Sequence, residues 1–208
     1  MSASFGTGFH ATPTGTVDAS AYERFTGRWS RLFIPSVLAD IAPGSRVLDV
    51  STGTGEAASM ALSIVGMSGF VLRGNGNLVI CVISTPDRAP MWGILADVIS
   101  RYVPDALRRT LYLSFSLADP ARLESLLASA GFRDIRVARE EREDVTESFD
   151  EYWEPIEAGI GSIPQSYLAL SDADRRAVRN EVKARLSQFE SNGKLLMRLE
   201  TLIARARA

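Results

Sequence analysis

The chain has one cysteine and one histidine. With Cys81 alone, no intramolecular disulfide can form, and a reducing compartment is expected. Cys81 lies in an apolar run, where a small buried hydrophobe is the expected role. His10 sits in a polar stretch near the start, so the body of the chain has no imidazole for proton transfer or metal binding. That excludes a Cys/His zinc site, a Ser-His-Asp triad and a Cys-His dyad, and no metal centre is expected. No apolar run is long enough to span a bilayer. The first twenty residues also lack the apolar stretch of a secretory signal. A surplus of one charge is missing too: 23 Lys and Arg face 25 Asp and Glu, a net charge of -2. Phosphate backbones and anionic membranes call for clustered basic residues, so neither is an expected partner. The expected setting is cytoplasmic.

What is present is an ordinary globular composition, 46% hydrophobic over 208 residues, enough for a sizeable core. Residues 1–18, rich in Ser, Thr, Gly and Ala, read as a flexible tail. Residues 19–208 read as a single domain, with a core at about 42–140 and a helical cap at about 149–190. Residues 20–41 carry apolar side chains at helical spacing, with Pro35 expected to break the helix. Residues 46–50 read as a short buried strand and 56–65 as a helix. Residues 70–72 read as a brief strand. Residues 78–83 are apolar throughout, as a central parallel strand would be. The spacing predicts a helix over 91–103. Asp119 and Pro120 form an N-cap and first helical position, Gly131 a stop, and 132–138 a half-buried strand. The charged run 139–151 reads as a solvated connection, and 149–160 as a short helix. Ser171 and Asp174 resemble a capping box, followed by the stripe Val178, Val182, Leu186 and Phe189. Residues 194–208 fit helix and strand equally. The expected sheet is parallel-rich, with strands 46–50 and 78–83 adjacent or flanking one short strand.

The informative segment is Val47-Leu48-Asp49-Val50-Ser51-Thr52-Gly53-Thr54-Gly55. A hydrophobic stretch enters a glycine-rich turn, and a helix follows. Gly53 and Gly55 permit positive φ and close backbone approach, and a helix N-terminus offers free N–H groups. The spacing through Ala58 also fits a dinucleotide fingerprint, which leaves an NAD(P) oxidoreductase as another reading.

This segment resembles motif I of class I S-adenosylmethionine (SAM) methyltransferases, with Asp49 at the acid of that motif. Residues 22–30 resemble the N-terminal helix of a bacterial branch related to the ubiquinone/menaquinone C-methyltransferases. Residues 72–80 resemble the lead-in and start of that family's fifth strand, and 115–137 the helix, Ala-Gly-Phe and sixth strand. Residues 149–155 and the helix after them resemble the branch's C-terminal cap. The resemblance implies an α/β fold with a Rossmann-like sheet, a helical N-terminal segment and a helical cap. It implies SAM as cofactor, methyl transfer to a small-molecule acceptor, and cofactor contacts from Asp49, Ser51, Thr52, Gly53, Thr54 and Gly55, with Tyr22 and Arg28 added from the N-terminal helix. It assigns no catalytic residue.

The chain departs from the pattern in one region. No acid occurs between Glu56 and Asp87, where the family places the carboxylate that holds the ribose hydroxyls. A charged hydrogen bond of that kind contributes roughly 1.5–3 kcal/mol, so its loss weakens cofactor binding about ten- to a hundredfold. The third and fourth strands of the family have no counterpart, so the core is expected to be shortened. A non-catalytic, shortened paralogue acting as a binding or partner subunit is therefore the alternative. Lost strands expose an edge, which makes a homodimer or a paralogue partner the expected assembly.

Overall fold

The computed structural model describes residues 22–45, 47–48, 56–65, 77–159 and 161–207. The 1–18 tail, the 70–72 strand and the glycine segment 49–55 lie outside them. The fold is mixed α/β, with a four-stranded antiparallel sheet and eight α-helices among the described residues. The chain divides into two compact units. One comprises Met1–Phe25, Thr85–Ser116 and Glu143–Leu199, the other Thr26–Ser84, Leu117–Arg142 and Glu200–Ala208.

The second unit holds most of the sheet. Strand β1 (Asn77–Ile83) pairs antiparallel with β4 (Lys194–Arg207), from Asn77 opposite Arg207 to Ile83 opposite Thr201. Strand β2 (Arg133–Thr146) lies on the other side of β4, in the order β1-β4-β2. Ion pairs mark its direction. Asp134 meets Arg207 at 3.5 Å and Arg139 meets Glu200 at 2.6 Å, so one strand's numbers rise as the other's fall. Because β1 and β2 are both antiparallel to β4, they run parallel to each other.

Both faces of this sheet are covered. Leu78, Ile80 and Val82 alternate onto one face with Leu202, Ala204, Ile135 and Val137. There they meet Leu123 and Leu127 of α5 (Pro120–Ser129). Helix α5 starts where its cap dictates: Asp119 accepts a 2.9 Å bond from Ala121 N. It stops before Gly131, whose φ of +90° suits only glycine well. On the opposite face lies α1 (Arg28–Val37), reached by Arg142 through Ser36 Oγ at 3.0 Å and by Arg205 through Asp40 at 2.9 Å. Helix α2 (Glu56–Val65) packs on α1 through Ile34, Leu38 and Ala61.

The first unit is mostly helical. Its centre is α3 (Pro90–Ser100), with Met91, Leu95, Ala96, Val98 and Ile99 fully buried. Gly93 lies so close to the preceding turn that a Cβ there would fall 2.0 Å from the Pro86 carbonyl oxygen. Helix α4 (Asp105–Leu111) follows. Helices α6 (Phe149–Glu157), α7 (Ser162–Leu168) and α8 (Asp172–Leu186) complete the layer. The stripe Val178, Val182 and Leu186 is buried, and the Ser171 hydroxyl accepts from Asp174 N at 3.1 Å. A short strand β3 (Glu190–Ser191) turns through Asn192 (φ 51°) and Gly193 (φ 78°) into β4. That is the left-handed pair a two-residue hairpin requires.

Several expectations are corrected. Residues 78–83 pair antiparallel among the described residues, and Cys81 is exposed on β1 rather than buried. Val47 and Leu48 adopt no strand, and Leu48 is 72% exposed. Residues 46, 49 and 50 of the other expected strand lie outside the described residues; among the described residues β1 pairs with β4. The charged run after residue 138 is strand as far as Thr146, its charges answered by partners such as Glu140 for Arg142 at 2.8 Å. Pro35 does not break its helix. It sits on the exposed side of the helix, two residues before its end. Phe189 falls beyond α8, in a 3₁₀ turn.

Candidate functional site

Asp49, Ser51, Thr52, Gly53, Thr54 and Gly55 lie outside the described residues, but the segments on either side of them are placed. Val47 before the loop and Ala57 after it pack against one cluster, Ile34, Leu38 and Ala61. The Gly44 N–H donates to the Val65 carbonyl at 3.0 Å, which ties the approach of the loop to the far end of the helix that leaves it. Gly44 takes φ +78° to make that turn. Both ends of the glycine segment are thus anchored on a single apolar cluster. Glu56 opens α2, where a carboxylate suits the positive end of the helix, and it pairs with Arg31 of α1.

The two weaker candidates are described. Tyr22 is half-buried at the start of a π-helical turn (Glu23–Gly27), and burial, then the Glu23 carboxylate, raise its pKa. Arg28 is the first residue of α1 and half-buried. Tyr22 belongs to the first unit and Arg28 to the second. Of the three tryptophans, Trp29 and Trp153 are buried and Trp92 is half-buried.

Sequence reasoning missed a polar group at the carboxyl end of β1. Ser84, the residue after the strand, is fully buried, and its hydroxyl donates to Glu200 Oε1 at 2.6 Å. The Arg139 guanidinium donates to the same oxygen at 2.6 Å and lies 3.3 Å from the Ser84 hydroxyl. The Ser84 N–H also donates to the Glu200 carbonyl, which extends the β1–β4 ladder by one residue. In open α/β sheets ligands gather outside the carboxyl ends of parallel strands. A serine closing an apolar strand was the available signal, but its partners lie more than fifty residues away on other strands.

Among the described residues no helix is long and apolar enough to cross a membrane, and no three His, Cys, Asp or Glu side chains gather as a metal site. No family model matches the chain, and no curated protein matches it either.

Proposed function

We propose that this chain is a shortened class I methyltransferase that binds SAM and transfers its methyl group to a small-molecule acceptor. The observation that carries this reading is the parallel course of β1 and β2, joined by a helical crossover, with helices on both faces of their sheet. The motif resemblance takes these two as the fifth and sixth strands of a Rossmann-like sheet, and consecutive strands of a doubly wound sheet run parallel. The reversed β4 between them is the antiparallel member that such mixed sheets admit.

The fit to SAM rests on the loop's anchors. Val47 and Ala57, on either side of the loop, pack against one cluster beside the N-terminus of α2, where free backbone N–H groups suit an anionic or polar ligand. Gly53 and Gly55 would lie closest, with Asp49, Ser51, Thr52 and Thr54 beside them and Tyr22 and Arg28 from the N-terminal helix. Bound SAM supplies the electrophilic methyl group; the chain's part is to hold donor and acceptor in line.

The missing ribose acid favours a second reading, a non-catalytic paralogue that works as a partner subunit. Calorimetry with SAM separates the two. Weak binding to the wild type, abolished by Gly53→Val, supports the first. Equal affinity in both proteins places the site elsewhere, and no binding to the wild type leaves the partner-subunit reading. Where SAM binds, a concentration of a hundred times Kd raises stability by about 2.7 kcal/mol.

A further inference from the structure

Helices α6, α7 and α8 of the first unit surround an open cleft of about 300 Å³. Arg175, Arg176 and Arg179 line one wall. Arg179 stands three and four residues after Arg176 and Arg175, which puts all three on one side of α8. Like charges so spaced repel, and among the described residues only Arg175 has a helix-stabilising ion pair one turn away, to Asp172. A local arrangement that opposes its own element is a mark of a functional surface.

The carboxylates paired with these cations are exposed, and one of them, Asp172, lines the cleft itself. Arg175 pairs with Asp172, and Arg179 pairs with Asp150 at 2.7 Å. Both carboxylates are about three-quarters exposed, and ion pairs in that setting hold weakly. Arg176 is exposed and makes no salt bridge among the described residues. An incoming anion can therefore take the guanidiniums in competition with exposed partners.

The rest of the cleft is of another character. Tyr167 is 4% exposed and stands edge-on to Trp153 with ring centroids 5.2 Å apart, and Leu168 lies beside it. Glu157 also lines the cleft, one carboxylate oxygen held by Trp153 Nε1 at 3.1 Å. An arginine wall, an aromatic and aliphatic surface and two carboxylates, Glu157 and Asp172, together discriminate against a bare inorganic anion. The volume is at the small end of ligand sites.

We propose that this cleft binds a small organic carboxylate with an apolar body and a hydrogen-bond donor. Its carboxylate meets Arg175, Arg176 and Arg179, its body lies on Tyr167 and Leu168, and its donor faces Glu157. The proposal is independent of SAM binding.

Calorimetry on the full chain with 3-(4-hydroxyphenyl)propanoate, 3-phenylpropanoate and inorganic phosphate tests it. The hydroxylated acid is expected to bind best and phosphate at least tenfold more weakly, with affinity falling as salt is raised. Arg176→Gln is expected to weaken the organic acids about tenfold without moving the melting temperature. Glu157→Gln is expected to reduce the preference for the hydroxylated acid. Equal binding of phosphate would reduce the cleft to a diffuse basic patch and overturn the proposal. So would unchanged affinity in Arg176→Gln, or no binding of either acid at millimolar concentration.

Discussion

Arg139 and Glu200 meet at 2.6 Å across β2 and β4, and the Glu200 carboxylate is 10% exposed while the arginine is half in water. Ser84 donates to the same carboxylate from the β1 side. One buried charge thus takes hydrogen bonds from both neighbours of the central strand. Arg139→Met is expected to cost about 1–2 kcal/mol, a charged hydrogen bond discounted for the solvent that screens its outer half. Urea denaturation of Arg139→Met, Ser84→Ala and the double variant checks this. Costs that simply add would mean that the two donors do not share one acceptor energetically.

At Gly93 helix propensity and packing lead to opposite expectations. Gly93 lies inside α3, where Gly→Ala ordinarily gains up to about 1 kcal/mol. Here the added Cβ would meet the Pro86 carbonyl oxygen at 2.0 Å and its carbon at 2.6 Å, both backbone. Gly93→Ala is expected to lower stability by about 3 kcal/mol or more, as overpacking against an unyielding neighbour does. A melting temperature at or above the wild-type value would refute the close approach.

Gly193 has open space where a Cβ would go, so only its φ of +78° matters. Gly193→Ala is expected to cost about 1–2 kcal/mol, the penalty of the left-handed region. Gly193→Asn is expected to cost less, because Asn tolerates that conformation. Thermal denaturation of the two variants gives the order; Ala and Asn costing the same would count against the turn.

Tyr152 sets a limit at high pH. It is 1% exposed, donates to the Met91 carbonyl at 2.7 Å, and burial raises its phenol far above the usual value. The unfolded chain releases this proton near pH 10, whereas the folded chain keeps it. Between those two pKa values the folded state binds more protons, so stability falls as pH rises. The contribution is fully present below about pH 10 and is lost above it. Denaturation midpoints from pH 7 to 11 are expected to decline, and less steeply in Tyr152→Phe. Tyr167 and Tyr22, also raised chiefly by burial, leave a residual slope in that variant.

Among the described residues β1 is paired only on its β4 side, and residues 78–83 have no charge, proline or glycine to blunt an edge. Homodimerisation, or pairing with a paralogue, follows from the shortened-core proposal. Light scattering at micromolar concentration is expected to give a dimer mass, and Val79→Lys to shift it toward monomer. A strictly monomeric wild type that binds no hydrophobic dye would sink the idea.

Local signals in the sequence were reliable where the determinant was local. Asp119-Pro120 placed the start of α5, Gly131 its end and Ser171 the start of α8, because caps depend on neighbouring residues alone. Helix α2 was legible as the helix that follows the glycine-rich segment. The partners of strands were not legible. Residues 195, 197 and 199 alternate as a half-buried strand does, but Thr201, Leu202, Ile203 and Ala204 are all buried, and a continuous apolar run carries no period. The Asn192-Gly193 pair was the overlooked signal that turns 194–207 into strand. The charge of residues 139–146 concealed the second half of β2, since groups that answer it, such as Glu200 for Arg139 and Ser36 for Arg142, lie on other elements.

The order β1-β4-β2 has a consequence for the chain during its synthesis. The strand that joins the other two is made after both of them. Asn77 emerges from the ribosome and must wait for Arg207 before its ladder can close. Until then the apolar side chains of β1 and β2 share no finished surface, and only α5, made between them, can shield them. Such long-range closure slows folding, and the nascent chain is exposed for the whole interval. The middle of this sheet is thus a lock turned last, and a chaperone that holds residues 77–83 would have its client until residues 200–207 arrive to displace it.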